Sequence, residues 1–563
     1  MNEETVPVFD LRHDAWITVQ NLDGSIGDVG IVELFARAHQ IGCMSNELPT
    51  IDFAIIRVLL AVLRQAHGQV QDADETWAEA WAAYTLDVTR IAKYLDKEGI
   101  SGSFNLLDPV RPFMQVPGLQ TAKGDSDSPA RLIADVPAGA HYFTTRSGSA
   151  LDRLGFAEAA RWLVHVQAFD YSGIKPGATD DRRVSGGKGY PIGAGWAGQL
   201  GGLYLQGATL KETLLLNLHF NERGRDDADS AVWERSALTG ASARGDNATE
   251  KDPDGTQVFP IGDSDIFTWS SRRVRLKADA DGIISALVTN GDRLIPQNSH
   301  VFEPMSLWRD SLTQAKALKL DQVWMPKRHD PDRSAWRGLG ALIGSGEVSA
   351  SGAADAGRPA VVHRLSVLMT AGMLPPGYHM NTVLVGFSYG TQDSSFQNLY
   401  CDQLSLEASL LTPQGVRHRG MAIDAVKRTE TAVYRLGKLA EQILVAGGND
   451  RPTDQGMVLS AVYFEFDTLF RNWLKGISVD QEATEFAIAW NVAARGILFK
   501  HSDALLRKAS PRSIQGRFDA DGHLRTAHTA TNAFAKHVFE EFPVATESPE
   551  HTNNPTTEET HVQ

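Results

Sequence analysis

At about 150 residues per domain, a chain of 563 residues allows roughly two to four domains and excludes a single small module. Hydrophobic residues make up 42% and charged residues 22%, an ordinary globular balance that excludes a wholly disordered, collagen-like or coiled-coil chain. With 54 Lys and Arg against 69 Asp and Glu the formal charge is −15, so nucleic acid or anionic lipid is not coated by the whole surface, and a basic face must be local.

Cys43 and Cys401 are the only cysteines, too few for a disulfide framework or a four-cysteine zinc site, and they fit a reducing cytoplasm. Met1 to Asp10 carries acids where a signal peptide carries bases, and no such address is expected. The most apolar stretch, Ile51 to Leu63, is broken by Asp52 and Arg57 and falls short of the ~20 residues that cross a bilayer. It is predicted to be a buried helix, in a cytoplasmic protein with no membrane partner.

In chain order, Trp16-Ile17-Thr18-Val19 alternates apolar and polar residues and leads to Asp23-Gly24, a hairpin dipeptide, before Val29-Gly30-Ile31. A strand, a turn and a second short strand are predicted. From 31 to 95 the spacing is helical, with Ile55, Leu59, Val62 and Leu63 on one face and Trp77, Trp81, Tyr84 and Val88 as a second stripe. From 130 to 205 glycine-rich loops dominate, and helical periodicity survives between Ala157 and Phe169. A helix is expected over Leu210 to Leu218, followed by a polar stretch from Asn221 to Gly262 that is long for a connection and is expected to be partly mobile. Ser271 to Lys277, Ala360 to Met369 and Thr382 to Phe387 carry β-character and suggest a mixed or antiparallel sheet.

After residue 415 the texture changes. Asp424 to Val445, Thr453 to Leu474, Gln481 to Phe499 and Ala527 to Phe542 are helix-length segments with apolar stripes, such as Val458, Val462, Phe466, Leu469 and Trp473. Thr453 stands where an N-cap would, and the short Ser478-Val479-Asp480 link favours antiparallel neighbours. The fold class expected is α+β: a mixed N-terminal domain over 1–415, an antiparallel four-helix bundle over 416–545 and a disordered tail over 546–563, where large apolar residues are almost absent.

Gly193-Ala194-Gly195-Trp196-Ala197-Gly198 satisfies G-x-G-x-x-G, but neither a buried parallel strand before it nor a βαβ unit after it can be read, and no G-x-x-x-x-G-K-[ST] occurs. Zinc-type spacing is missing; His523 and His528 are the nearest approach and read as solvated or capping residues. No G-x-S-x-G occurs, and Ser147 reads as a turn residue. Glu465 and Asp467 lie on a predicted helix and read as solvated or network carboxylates. What stands out is the glycine density from Ser185 to Gly202, where main-chain groups can approach another polymer without a Cβ in the way, with Arg182, Arg183 and Lys188 beside it. The alternative is a flexible loop. Gly386 to Ser395 reads as a strand leading into a polar turn, with a solvent-facing hairpin as its plain reading.

At these two loops the sequence resembles the CasA family, the large subunits of type I-E CRISPR surveillance complexes (Cascade). Leu11, Trp16-Ile17 and Val19, Arg111-Pro112-Phe113-Met114-Gln115, Tyr142-Phe143, the 186–202 region, Leu214-Leu215-Leu216-Asn217-Leu218 and the terminal helices follow the family's order. The resemblance implies a subunit, not an enzyme, that reads the protospacer-adjacent motif (PAM) of double-stranded target DNA, helps open the adjacent duplex and offers a landing surface for a helicase-nuclease. Its other partners would be the remaining Cascade subunits and the guide RNA, and it would need no cofactor. By the resemblance, the glycine loop falls on Gly186, Gly187, Lys188 and Gly189, and the glutamine wedge on Gln392. A minor-groove base falls on Arg293, with Lys277 and Arg275 as alternatives, and Phe143 matches an aromatic that either contacts partners or fills the core. Some relatives carry a cysteine cluster that Cys43 and Cys401 cannot reproduce, so no metal is predicted. Arg428, Arg435, Lys438 and Arg471 are bundle bases that could follow a displaced strand or simply be solvated. The competing function classes are a stand-alone soluble enzyme whose glycine-rich loop closes over a small ligand, and a purely architectural subunit.

Overall fold

The computed structural model describes residues 7–124, 126–136, 146, 148–222, 228–241, 259–344, 357–449, 456–519 and 521–544. Tyr142, Phe143, Ser147, Thr453, residues 223–227 and 242–258 of the long polar stretch, and the 546–563 tail lie outside the described residues. The chain divides into two compact units, Met1–Arg419 and Gly420–Gln563.

In the first unit, strand β1 (Ile17–Asn21) buries Ile17 and Val19 and turns Thr18 and Gln20 outward, the period of two expected of a half-buried strand. It pairs antiparallel with β2 (Ile26–Val29) across the Asp23-Gly24 turn and with β3 (Ile41–Met44) on its other edge. That third strand interrupts the helical run predicted for 31–95. The predicted stripe of four aromatic and apolar residues also splits. Trp77 is fully buried and donates from Nε1 to the Leu215 carbonyl at 2.7 Å, whereas Tyr84 is 80% exposed, because the helix Ala73–Ala82 stops and Ala83 turns extended.

Helix α1 (Pro49–His67) starts with proline at its first turn and buries nearly every residue from Thr50 to Arg64, as a helix inside a core must. The arginines in that apolar run are neutralised inside it: Arg57 forks onto Glu303 at 2.7 and 2.9 Å, and Arg64 meets Asp229 at 2.9 Å. Helix α2 (Phe156–Phe169) packs on α1, with Thr50 and His165 joined at 3.1 Å. Burial drives His165 down to about 3, so its ring is neutral.

A three-stranded antiparallel sheet runs beneath, with β4 (Gly202–Gln206), β7 (His379–Tyr389) and β8 (Phe396–Glu407) ordered so that β7 is central and Val385 faces both Gly202 and Cys401. Strands β5 (Arg272–Asp279) and β6 (Gly282–Asn290) form a hairpin of their own instead of joining it. The segment from Ala360 to Met369, predicted as a strand, is instead helix α3 (Ala360–Thr370). Val361, Leu365 and Leu368 are buried at spacings of four and three, so the helical period outweighs the β-branched residues, and Pro359 caps the start.

In the second unit, helices α4 (Val416–Ala446), α5 (Gly456–Lys475), α6 (Ala483–Arg507) and α7 (Ala527–Glu541) share one core. Trp490 of α6 sits at its centre, 5.9, 5.0 and 5.0 Å from the rings of Phe466, Phe470 and Trp473, and its Nε1 donates to Thr429 Oγ1 of α4 at 3.2 Å. The α5 stripe lies at Val462, Phe466, Phe470 and Leu474, a slight rotation from the predicted one that leaves Leu469 and Trp473 half-buried. Phe499 and Phe539 join α6 to α7 at 5.4 Å. Among the described residues no helix is long and apolar enough to cross a membrane.

Candidate nucleic-acid interface

Gly186 and Gly187 form the two-residue turn between Ser185 and Lys188, and Lys188–Gly189 beyond it pairs antiparallel with Lys175–Pro176. Ser185 and Lys188 close it with reciprocal backbone bonds of 3.1 Å. The two glycines take φ of +59° and +75°, the left-handed pair that a two-residue type I′ hairpin turn requires. Gly186, Gly187 and Lys188 are exposed. Gly189 faces inward: a Cβ there would lie 2.9 Å from Asn290 Nδ2, which donates to the Tyr190 carbonyl and ties the hairpin to the end of β6. Arg183 is held by Asp181 at 2.9 Å, Arg182 before it is exposed, and Lys188 closes the turn.

Gln392 crowns the turn between β7 and β8. It and Asp393 adopt φ of +58° and +54°, and a non-glycine residue held there costs about 1–3 kcal/mol. The neighbours explain why the conformation persists. Gly390 N–H donates to the Ser395 carbonyl at 2.9 Å, Ser172 N–H donates to the Asp393 carbonyl at 2.7 Å, and Arg328 forks onto the Asp393 carboxylate at 2.8 and 3.0 Å. The Gln392 side chain is left exposed at the apex. Below it, Tyr389 donates to the Phe169 carbonyl at 2.7 Å and burial raises its pKa.

Both turns are tied to the segment from Asp170 to Lys175, which a buried carboxylate anchors. Asp170, at the end of α2, accepts Arg272 Nε at 2.6 Å, Lys175 Nζ at 2.9 Å and Arg131 Nη2 at 2.9 Å. Lys175 opens the glycine hairpin, and Ser172, two residues beyond Asp170, holds the Gln392 turn. Arg272 also donates to the carbonyls of Asp170, Tyr171 and Gly193 at 3.1, 3.1 and 2.8 Å. Burial alone would raise the Asp170 pKa, but the three cations hold it well below the usual carboxylate range. Burial in turn pushes Lys175 down to about 7, against the pull of Asp170.

The G-x-G-x-x-G segment is absorbed by packing. A Cβ on Gly195 would lie 2.6 Å from the Ala168 carbonyl, one on Gly198 would strike the Tyr389 hydroxyl, and Trp196 is buried with Nε1 donating to Glu303 at 2.7 Å. Arg293, half-buried with its pKa lowered by burial, follows the end of β6; Arg275 donates to the Leu119 carbonyl at 3.1 Å and Lys277 is exposed further along β5. Asp519, Asp521 and His523 gather in one turn, where Asp519 accepts the backbone N–H of both Asp521 and His523. On the second unit, Arg428 is engaged by Asp424 and the Glu541 carbonyl, Lys438 by Glu441 and Arg471 by Asp467, each at 2.7–2.9 Å. Arg435 is half-buried.

Sequence reasoning missed Asp170 and Arg272. The signal lay in Arg272-Arg273: consecutive strand residues point to opposite faces, so two arginines inside β5 place a cation on each. Both are buried, Arg272 on Asp170 and Arg273 on Asp292 at 2.8 Å.

The fold of this chain is shared by a solved protein, Thermobifida fusca Cse1. The chain is 39% identical to it, with a TM-score of 0.84 over 96% of this chain and 99% of that one. The chain belongs to the family described as CRISPR-associated protein Cse1, whose pattern matches residues 10–500. CRISPR-associated protein CasA/Cse1 of Thermus thermophilus is 27% identical over 343 residues, and the match spans 60% of this chain and 60% of that relative's length. The fold recurs, at 18% identity and a TM-score of 0.67 over 95% of this chain, in a structure titled "CRISPR RNA-guided surveillance complex". The family expected from the glycine loop and the terminal helices is the family found.

Proposed function

We propose that this chain is the large subunit of a type I-E CRISPR RNA-guided surveillance complex, acting without bond-making chemistry of its own. In this reading it binds the PAM in double-stranded target DNA, opens the neighbouring base pair and offers a surface to a helicase-nuclease. The other Cascade subunits and the guide RNA are its assembly partners in the cytoplasm, and its four C-terminal helices run up and down as an antiparallel bundle.

The observation that carries the proposal is the pair of left-handed turns, Gly186-Gly187 and Gln392-Asp393, tied to the one segment from Asp170 to Lys175. The bare glycine turn suits backbone contact with the minor groove, whose pattern separates mainly A·T from G·C, so several related PAMs should be accepted. Gln392, held rigidly at its apex, suits a wedge; separating one base step costs about 1.4 kcal/mol, which a few phosphate contacts offset. Arg293 remains the favoured minor-groove base, because it leaves the strand end whose Asn290 holds Tyr190, whereas Lys277 lies five residues, about 16 Å, along β5 from Arg272.

Reconstitution with the other subunits and a guide RNA, followed by selection from duplexes with randomised flanks, tests the reading. Gln392→Ala should slow R-loop formation more than it weakens duplex capture. Equal rates for variant and parent on linear DNA remove the wedge assignment, and flank-independent capture by the parent removes PAM reading.

A further inference from the structure

A cavity of about 480 Å³ opens beside the Gln392 turn. Arg309, Lys327, Arg328, Arg333 and Arg337 line it, and Asp330 is the single carboxylate among the lining residues. Its floor is apolar, with Met325, Leu384 and Tyr400. His329 adds no charge at neutral pH: its ring stacks on Tyr400 at 4.7 Å, Nε2 lies 2.9 Å from the Gly202 carbonyl, and burial pushes it down to about 4. Five cations around one hollow stand out against a chain whose net charge is −15. A concave, predominantly cationic lining concentrates the field that attracts an anion, and guanidinium forks match phosphate oxygens.

The cavity and the turn are parts of one structure. Arg328 lines the cavity, forks onto Asp393 beside Gln392, and donates from Nε to the Gln199 carbonyl at 3.2 Å. The volume falls within the roughly 300–1,000 Å³ of sites that enclose a small molecule, which suits one unpaired nucleotide and not a duplex. A cationic groove is the feature that tracks a single-stranded backbone without reading its sequence.

We propose that this cavity receives one nucleotide of the single strand released when the duplex opens at Gln392, with its phosphodiester against the arginine rim. The inference rests on the reading of Gln392 as the wedge. Phosphate chemistry could also come from a free nucleotide, and the test separates the two.

The test uses the reconstituted complex with target duplexes in which phosphates flanking the PAM are replaced, one at a time, by uncharged methylphosphonates. In the parent, one linkage should slow opening by about tenfold, the size expected for losing a charge-assisted contact. In Arg309→Glu/Arg333→Glu the opening should already be slow and that linkage should have no further effect, while PAM discrimination persists. Arg309→Lys/Arg333→Lys should recover most of the rate. Additive effects of the linkages and the variant overturn the proposal, as does a melting-temperature rise with ATP or inorganic phosphate in the parent chain alone with no sensitive linkage. Equal opening rates for Gln392→Ala and parent would instead remove the wedge reading, a separate result.

Discussion

Arg272 and Asp170 meet at 2.6 Å with both side chains 1% exposed, and Arg131 and Lys175 close on the same carboxylate. Removing the charge of a buried ion while its partners stay costs about 3–5 kcal/mol. Asp170→Asn should therefore lower the unfolding free energy of the full chain by about that amount in urea titrations. Lys175→Met in the same chain should recover part of the loss, because one stranded cation is gone; strictly additive effects would show that the two residues act independently.

Gln392 offers a separation of stability from function. Glycine takes a φ of +58° without the penalty of about 1–2 kcal/mol that an L side chain carries there, although it gains freedom in the unfolded chain. Gln392→Gly should leave the melting temperature unchanged or slightly higher, yet slow duplex opening at least as much as Gln392→Ala. A variant that opens DNA at the parental rate would show that the backbone of the turn, and not the amide, enters the duplex.

Burial in α1 pushes Asp52 up to about 6, against two bonds from Asn46 at 3.1 and 2.6 Å that favour the charged form. The folded-state pKa is above the unfolded one, so the folded chain binds this proton more tightly. The stability it contributes is complete below pH 3.8 and is lost as the pH rises through about 6. Asp52→Asn keeps an acceptor for Asn46 and removes the titration. The difference in urea midpoint between parent and Asp52→Asn, measured from pH 4 to pH 7, should move steadily in favour of the variant.

In the helical unit, Trp490 fills the centre and bonds Thr429. Truncating a fully buried aromatic costs about 3–5 kcal/mol, so Trp490→Ala should unfold this unit at markedly lower denaturant. Far-ultraviolet circular dichroism would register the loss of helix.

The parts of the molecule that were legible in advance are those governed by local period and turn chemistry. The Asp23-Gly24 hairpin, α2, and the four long helices after 415 follow from alternation, 3.6-residue spacing and the residues that end each run. In Ala360 to Met369, Val361, Val362 and Val367 suggest a strand, while the burial of Leu365 and Leu368 that makes it a helix is set by distant neighbours. The exposed turns at Gly186 and Gln392 could be located by composition and resemblance. Their common root could not, since Asp170 and Arg272 lie 102 residues apart and neither stands in a motif. The basic cavity is equally scattered, drawing on Arg309 from one short strand and Arg337 from a later turn.

The tip of the glycine hairpin has open space where a Cβ would stand on either Gly186 or Gly187. What disfavours a substituent is therefore chirality, not crowding. Every replacement the genetic code can make is an L-residue that strains at this φ, whereas a semisynthetic chain bearing D-alanine at either position would keep the turn without strain and add a methyl group to its surface. Such a mirror-image residue would measure how closely a bound helix approaches the peptide bonds at that point.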